Sequence, residues 1–134
     1  MATIERFEEI ASWQEARKLN KIIRDLIDSG RFKRSYRLIN QVEGSAGSIM
    51  DNIAEGFERG GNNEFKQFLY VAKGSCGELR SQLYRAVDRN YITQEEFENY
   101  SNHVKRISGM LQKFITYLEN SELKGIKYRK KNMK

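Results

Sequence analysis

The chain has 134 residues, a formal net charge of +6, no proline and a charged fraction of 31%. This length predicts one domain, and the composition favours long helices joined by short turns. No segment approaches the ~20 consecutive apolar residues of a membrane span, and the charged N-terminus lacks the apolar run of a signal peptide. Cys76 is the only cysteine, which excludes an intrachain disulfide, and we expect a cytoplasmic protein.

The first two helices are predicted from their ends and their apolar spacing. A capping-box pattern from Ser12 to Glu15 marks the start of a helix that runs to about Asp28 and ends at Gly30. A second helix begins near Ser35. Apolar residues recur every three or four positions, as in helices with one buried face. They are Ala16, Leu19, Ile23 and Leu26, then Ile39, Val42, Ala46, Ile49, Ile53 and Phe57.

A glycine-rich turn separates the second helix from the third. Gly60 and Gly61 can take the left-handed conformation that closes a helix, and Asn62 or Asn63 can cap the next one. Asn90 can stop the third helix. The apolar face of this helix contains Phe65, Leu69, Ala72, Cys76, Leu79, Leu83 and Ala86.

The fourth helix begins at a second capping box, Thr93 to Glu96, with Ile92 and Phe97 at the positions of a hydrophobic staple. Its apolar residues are Phe97, Tyr100, Val104, Ile107, Leu111, Phe114 and Leu118. Short turns make consecutive helices antiparallel, and heptad-like spacing favours shallow crossing angles. We therefore predict an all-α fold, an up-and-down antiparallel four-helix bundle over residues 1–122.

A basic C-terminal tail follows the predicted bundle. Residues 123–134 contain six of the 24 basic residues and no acid, so residues 1–122 are formally neutral. The cations of the tail are Lys124, Lys127, Arg129, Lys130, Lys131 and Lys134, with Tyr128 among them. We expect this tail to be disordered, and it serves either as a nucleic-acid contact or as a solubilising end.

Small residues lie outside the apolar faces of the second and third helices. Because each interior glycine costs ~1 kcal/mol relative to alanine, their presence needs a reason. One explanation is a second subunit that approaches these helices closely. The alternatives are local tolerance of glycine and close packing of helices within one bundle. The candidate oligomer contacts are Gly47, Met50, Ala54, Gly74 and Gly77, and Gly44 is a further glycine outside the apolar face.

A basic stripe with aromatic residues runs along the third helix. Lys66, Lys73 and Arg80 recur every seven residues, and Tyr70 and Tyr84 lie on the same side. Basic groups contact phosphates and aromatic rings stack on unpaired bases. The alternative, favoured by the position beside the core, is that these cations pair with acids of a neighbouring helix. A second basic cluster, in the turn between the first two helices, contains Arg31, Lys33, Arg34 and Arg37.

Residues that could support catalysis or bind a metal are few. His103 is the only histidine, and the residue three positions before it is tyrosine, where a Glu-x-x-His metal motif needs glutamate. Cys76 lies in an apolar face, where thiols are usually inert. Glu55 and Glu64 could form a carboxylate pair, but Arg59 between them favours an ion-pair network that closes the hairpin. We expect no enzymatic activity, no metal and no cofactor.

The hairpin between the second and third helices resembles a known bacterial family. Its motif residues are Asn52, Glu55, Gly56, Arg59, Glu64 and Phe65, within the segment DNIAEGFERGGNNEF. The pattern is similar to the four-helix-bundle family first noticed as the product of intervening sequences in bacterial 23S rRNA genes, and the similarity extends over residues 5–120. The resemblance implies an up-and-down bundle, often assembled as a homopentamer.

The chain also looks like a relative of the accessory proteins of diversity-generating retroelements. Those proteins form pentameric barrels that work with a reverse transcriptase and nucleic acid. Most members of the family have no assigned biochemical activity. Relatives often carry two arginines and a proline where this chain has Glu43, Gly44 and Met50. This departure weakens any basic surface on the second helix.

Two functions from different classes remain. The first is a non-enzymatic oligomeric module that binds RNA, single-stranded DNA or a ribonucleoprotein. Its candidate contacts are Lys66, Tyr70, Lys73, Arg80, Lys124, Lys127, Arg129, Lys130 and Lys131. The second is a protein-assembly scaffold without a nucleic-acid role. An enzyme that uses Glu55 and Glu64 is a third and weaker hypothesis.

Overall fold

The computed structural model describes residues 3–121. A short 3-10 helix (Phe7–Glu9) precedes four α-helices, which are α1 (Ala11–Asp28), α2 (Tyr36–Arg59), α3 (Asn62–Asp88) and α4 (Gln94–Asn120). The predicted all-α class and the four-helix bundle are confirmed. The tail at 123–134 and the predicted boundary at residue 122 lie outside the described residues, as do the tail cations named above.

The helices pack in chain order around one apolar core. The α2–α3 hairpin has the most extensive interface, α3 then packs on α4 and α1 on α2, and the α1–α4 interface is the smallest of these. Almost every predicted core residue is buried. In α2, however, Leu38 is buried and Ile39 is only partly so, while Tyr100 of α4 lies at the edge of the core.

The predicted start of α1 is wrong. Ser12 does not cap the helix, because α1 begins at Ala11, two residues earlier than predicted, and Ile10 is its N-cap. Ile10 is fully buried, so its anchoring in the core fixes where the chain turns into the helix. The Ser12 hydroxyl is buried and forms no hydrogen bond within residues 3–121. Glu15 consequently makes tertiary contacts in place of a capping contact.

The turn between α2 and α3 has the predicted glycine closure but a different cap. Gly60 adopts a left-handed conformation (φ 87°), and its N–H donates to the Phe57 carbonyl at 3.2 Å. Gly61, which is extended, is the N-cap of α3, so neither Asn62 nor Asn63 caps the helix as predicted. Because the turn contains only two residues, Asn62 is already helical when the chain leaves Gly61.

The second half of the bundle follows the predicted signals closely. α3 ends at Asp88, and Asn90 adopts a left-handed conformation (φ 61°) directly after its cap. The capping box at Thr93 is present, since the Glu96 N–H donates to the Thr93 hydroxyl at 3.1 Å and the Thr93 N–H donates to the Glu96 carboxylate at 2.8 Å. Ile92 and Phe97 are both buried, as a staple requires.

Candidate nucleic-acid interface

The basic stripe of α3 lies along the seam between α3 and α4. Lys66, Lys73 and Arg80 are each half-buried there. The Lys73 ammonium donates to the Gln112 side-chain oxygen at 2.5 Å, and the Tyr70 hydroxyl donates to the Glu119 carboxylate at 3.1 Å. The bond to Glu119 raises the pKa of Tyr70. Contacts with α4 therefore position the stripe.

The charges of the stripe are not neutralised by these contacts. The sequence favoured pairing with acids of a neighbouring helix, but within residues 3–121 Lys66, Lys73 and Arg80 form no ion pair. The partner of Lys73 is a neutral amide. Tyr70 and Tyr84 are 48% and 53% exposed, so their rings are accessible beside the cations. The stripe thus combines positive charge with exposed aromatic surface.

The motif hairpin contains the ion-pair network that the sequence predicted around Arg59. Arg59 lies 2.9 Å from the Glu55 carboxylate and 4.0 Å from that of Glu64. Its guanidinium also lies over the ring of Phe68, 5.1 Å from the ring centroid. The hydrogen bond to Glu55 raises the pKa of Arg59, opposed by desolvation. Glu55 and Glu64 are both tied to this arginine.

Contacts within the hairpin explain why the motif has glycine at position 56 and asparagine at position 52. A Cβ added at Gly56 would lie 2.6 Å from the Cβ of Phe68 and 3.0 Å from the ring of Phe65. The helices can approach this closely only where one of them has no side chain. The Asn52 amide donates to the carbonyl and the hydroxyl of Ser48, at 2.8 and 2.9 Å. Both roles are structural.

The candidate oligomer contacts differ in their surroundings. Nothing lies within 4 Å of a Cβ added at Gly44, Gly74 or Gly77, all of which are exposed. A Cβ added at Gly47 would lie 4.0 Å from the side-chain oxygen of Asn20 in α1. This contact fits the alternative of close packing within one bundle. Met50 and Ala54 are partly buried. A subunit contact at these positions stays a prediction.

A polar cluster between α1 and α4 was missed by the sequence analysis. Glu15 accepts hydrogen bonds from Arg106 at 2.9 Å and Lys18 at 3.2 Å, and lies 3.1 Å from the His103 ring nitrogen. Burial raises the pKa of Glu15, but these three partners outweigh burial and lower it from 4.5 to about 2. The cluster joins α1 and α4, whose interface is the smallest of the four helix pairs described above. Only tertiary contacts reveal it, because its partners in α4 are about 90 residues away in the sequence.

The remaining ionisable candidates have ordinary structural surroundings. Cys76 is buried, and burial raises the pKa of its thiol to about 12, which makes it unreactive. Arg31 of the basic turn forms a two-pronged ion pair with Glu96, whose pKa this pair lowers to about 2. Across residues 3–121 no group of histidine, cysteine or carboxylate side chains is arranged to hold a metal ion. No described helix is long and apolar enough to cross a membrane.

These features define a helical bundle with a basic and aromatic seam beside a glycine-dependent hairpin. The chain belongs to the family described as 23S rRNA-intervening sequence protein, whose pattern matches residues 8–113. A crystal structure of a protein of unknown function from the S23 ribosomal protein family of Bacteroides thetaiotaomicron VPI-5482 has a similar fold. It is 21% identical, with a TM-score of 0.71, over 78% of this chain and 98% of that one.

The comparison with curated proteins gives no match. The resemblance to accessory proteins of diversity-generating retroelements stays a prediction, and so does assembly as a homopentamer. At 21% identity the solved structure supports the fold alone. Any function has to be argued from the surface of this chain.

Proposed function

We propose that this protein is a non-enzymatic, oligomeric helical-bundle module of the cytoplasm that binds RNA, single-stranded DNA or a ribonucleoprotein through basic surfaces. The observation that carries the proposal is the α3–α4 seam. Three cations there have no carboxylate partner among the described residues, and two tyrosines are about half exposed beside them. Cations at this spacing contact phosphates, and exposed tyrosine rings stack on unpaired bases.

Basic residues outside the seam add to this attraction. The tail contributes six cations in twelve residues, and assembly of several subunits would multiply weak contacts into avidity. The seam supplies contacts at fixed positions, and the charge of the tail adds long-range electrostatic attraction. Tyr70 and Tyr84 each have one hydroxyl that could form a hydrogen bond to a base edge. We therefore expect binding with little preference for nucleotide sequence.

The proposal is tested by fluorescence anisotropy of labelled mixed-sequence RNA and single-stranded DNA with the full-length protein at about 50 mM salt. Lys66→Gln, Lys73→Gln and Arg80→Gln are combined in one variant, and residues 123–134 are deleted in another. Each variant should bind more weakly, and each should lower the slope of log affinity against log salt by about 0.7 for every phosphate that it no longer neutralises. Absence of salt-sensitive binding by the wild-type protein would refute the proposal.

A protein-assembly scaffold is the second candidate function. It is favoured by the exposed glycines Gly44, Gly74 and Gly77 and by Val71, which is 52% exposed on the outer surface of α3. A scaffold of this kind would assemble normally and bind no RNA. Native mass spectrometry of the purified protein, combined with the anisotropy titration, distinguishes the two functions.

A further inference from the structure

A groove along α1 has a basic wall that the sequence analysis did not single out. Two adjoining concavities of about 380 and 340 Å³ share Arg17 and Lys21 in their linings. Arg24 extends the basic wall at one end, and Trp13 lines the other. We refer to the two concavities together as the α1 groove, whose lining includes one aromatic ring and a row of three cations.

The geometry of α1 explains why these side chains form a row. Arg17, Lys21 and Arg24 are four and three residues apart, which places them on one face of the helix with a rise of ~6 and ~4.5 Å between them. Asn20 holds the helices together beneath them, since its amide donates to the Ala46 carbonyl of α2 at 2.7 Å. The row therefore borders a groove with a fixed floor.

The three cations are available to an external anion. Within residues 3–121 none of them forms an ion pair. The Trp13 ring is half-buried, with the Arg17 guanidinium over it at 5.9 Å from the centroid and the Phe7 ring in edge contact at 5.2 Å. Lys18 also lines the groove but pairs with Glu15 at 3.2 Å. Two carboxylates, of Glu8 and Glu43, belong to the lining as well. The lining thus has four cationic side chains and two acidic ones.

We propose that this groove binds a segment of single-stranded nucleic acid. A base replaces the Arg17 guanidinium on the Trp13 ring, and the displaced guanidinium then contacts a phosphate beside Lys21 and Arg24. A cationic track with an aromatic platform is the arrangement by which proteins hold single strands without reading their sequence. The proposal rests on the proposed function and adds to it a second surface, which lies along α1 and is separate from the α3–α4 seam.

Trp13 provides a direct readout, because it is the only tryptophan of the chain. Titration of the full-length protein with an oligothymidylate of about 12 nucleotides should quench its fluorescence as a base stacks on the ring. Inorganic polyphosphate of similar charge should bind without this quenching. Oligothymidylate that binds and leaves the emission of Trp13 unchanged would overturn the proposal.

Charge variants test the cationic wall. Combining Arg17→Gln, Lys21→Gln and Arg24→Gln should lower the salt slope by about 2 and weaken binding on the order of 100-fold at ~0.1 M salt. The matched control replaces three exposed cations elsewhere, Arg34→Gln, Lys105→Gln and Lys113→Gln, and should change affinity much less. Glu43→Gln removes an opposing charge from the groove and should tighten binding roughly two- to fivefold. A gain of affinity cannot come from misfolding.

The outcomes separate this inference from the proposed function. If the groove variant and its control bind oligothymidylate equally, the groove is not a binding site, whereas the proposed function survives. If the wild-type protein binds no oligonucleotide, the proposed function fails first. Tighter binding of polyglutamate than of oligothymidylate would assign the groove to an acidic polypeptide and overturn the inference.

Discussion

Gly56→Ala should destabilise the bundle, because the hairpin packs too tightly at this point for any side chain. The added Cβ would lie 2.6 Å from the Cβ of Phe68 and 3.0 Å from the ring of Phe65. The nearer atom is bonded to the backbone of α3, so no rotamer change can relieve the clash, and α2 and α3 must separate. Overpacking of this kind costs about 1–3 kcal/mol.

The expected net effect follows from two opposing contributions. Alanine is a better helix former than glycine by ~1 kcal/mol, which offsets part of the clash. Because the clash involves a backbone-linked atom, we take the upper part of the range and expect a net loss of about 2 kcal/mol. For a chain of this size that corresponds to a fall in the thermal midpoint of roughly 5–10 °C.

Gly44→Ala is the matched control for this experiment. Gly44 lies in the same helix, is exposed, and has nothing within 4 Å of an added Cβ. This substitution should raise stability by about 0.5–1 kcal/mol, since only the helix propensity changes. Thermal and urea denaturation followed by circular dichroism measure both variants. If Gly56→Ala proves as stable as Gly44→Ala, α2 and α3 do not approach each other closely at Gly56.

Three further predictions concern the polar cluster and the oligomer contacts. Glu15→Gln should cost about 1 kcal/mol in urea denaturation, since Arg106 and His103 would no longer have a charged partner, and an unchanged midpoint would contradict the network. The pKa of Glu15 is about 2 in the folded chain and 4.5 ordinarily. The Glu15 carboxylate therefore stabilises the fold fully above pH 4.5, and this contribution declines as the pH falls from about 4.5 towards 2. Thermal midpoints measured over this pH range should therefore fall less steeply in Glu15→Gln than in wild type; parallel curves would refute the assignment. Gly74→Leu should disrupt assembly in native mass spectrometry and leave the fold intact, since the single chain has open space there, and full assembly of this variant would exclude Gly74 from the contact. Gly47→Leu is a poorer probe, because Asn20 is close enough to be displaced.

The fold could be predicted because its signals are local. The apolar spacing, the left-handed Gly60 and the capping box at Thr93 each act within a few residues of the chain. The errors also occurred at helix ends. Ser12 has the sequence of a cap, but the burial of Ile10 moved the start of α1, and the two-residue turn made Gly61 the cap in place of an asparagine.

The candidate sites depended on contacts that no local pattern specifies. The partner of Lys73 is Gln112, 39 residues away in the sequence. No local pattern indicates whether Lys73 contacts this amide or a nearby carboxylate. The cluster around Glu15 joins the first and fourth helices, whereas the local pattern predicted a capping role for Glu15 alone. The groove beside Arg17 exists only where two helices meet. The hairpin network at Arg59 was predictable because its three charges lie within ten residues.

The proposed binding of nucleic acid is tested most directly by ultraviolet cross-linking in cells that express the native assembly, followed by sequencing of the RNA recovered with it. The combined variant Lys66→Gln, Lys73→Gln and Arg80→Gln, expressed at the same level, provides the control. We predict RNA recovered well above background with the wild-type protein and a marked decrease with the variant. Equal recovery with both proteins would exclude the α3–α4 seam, and recovery no higher than from cells without the protein would contradict nucleic-acid binding itself.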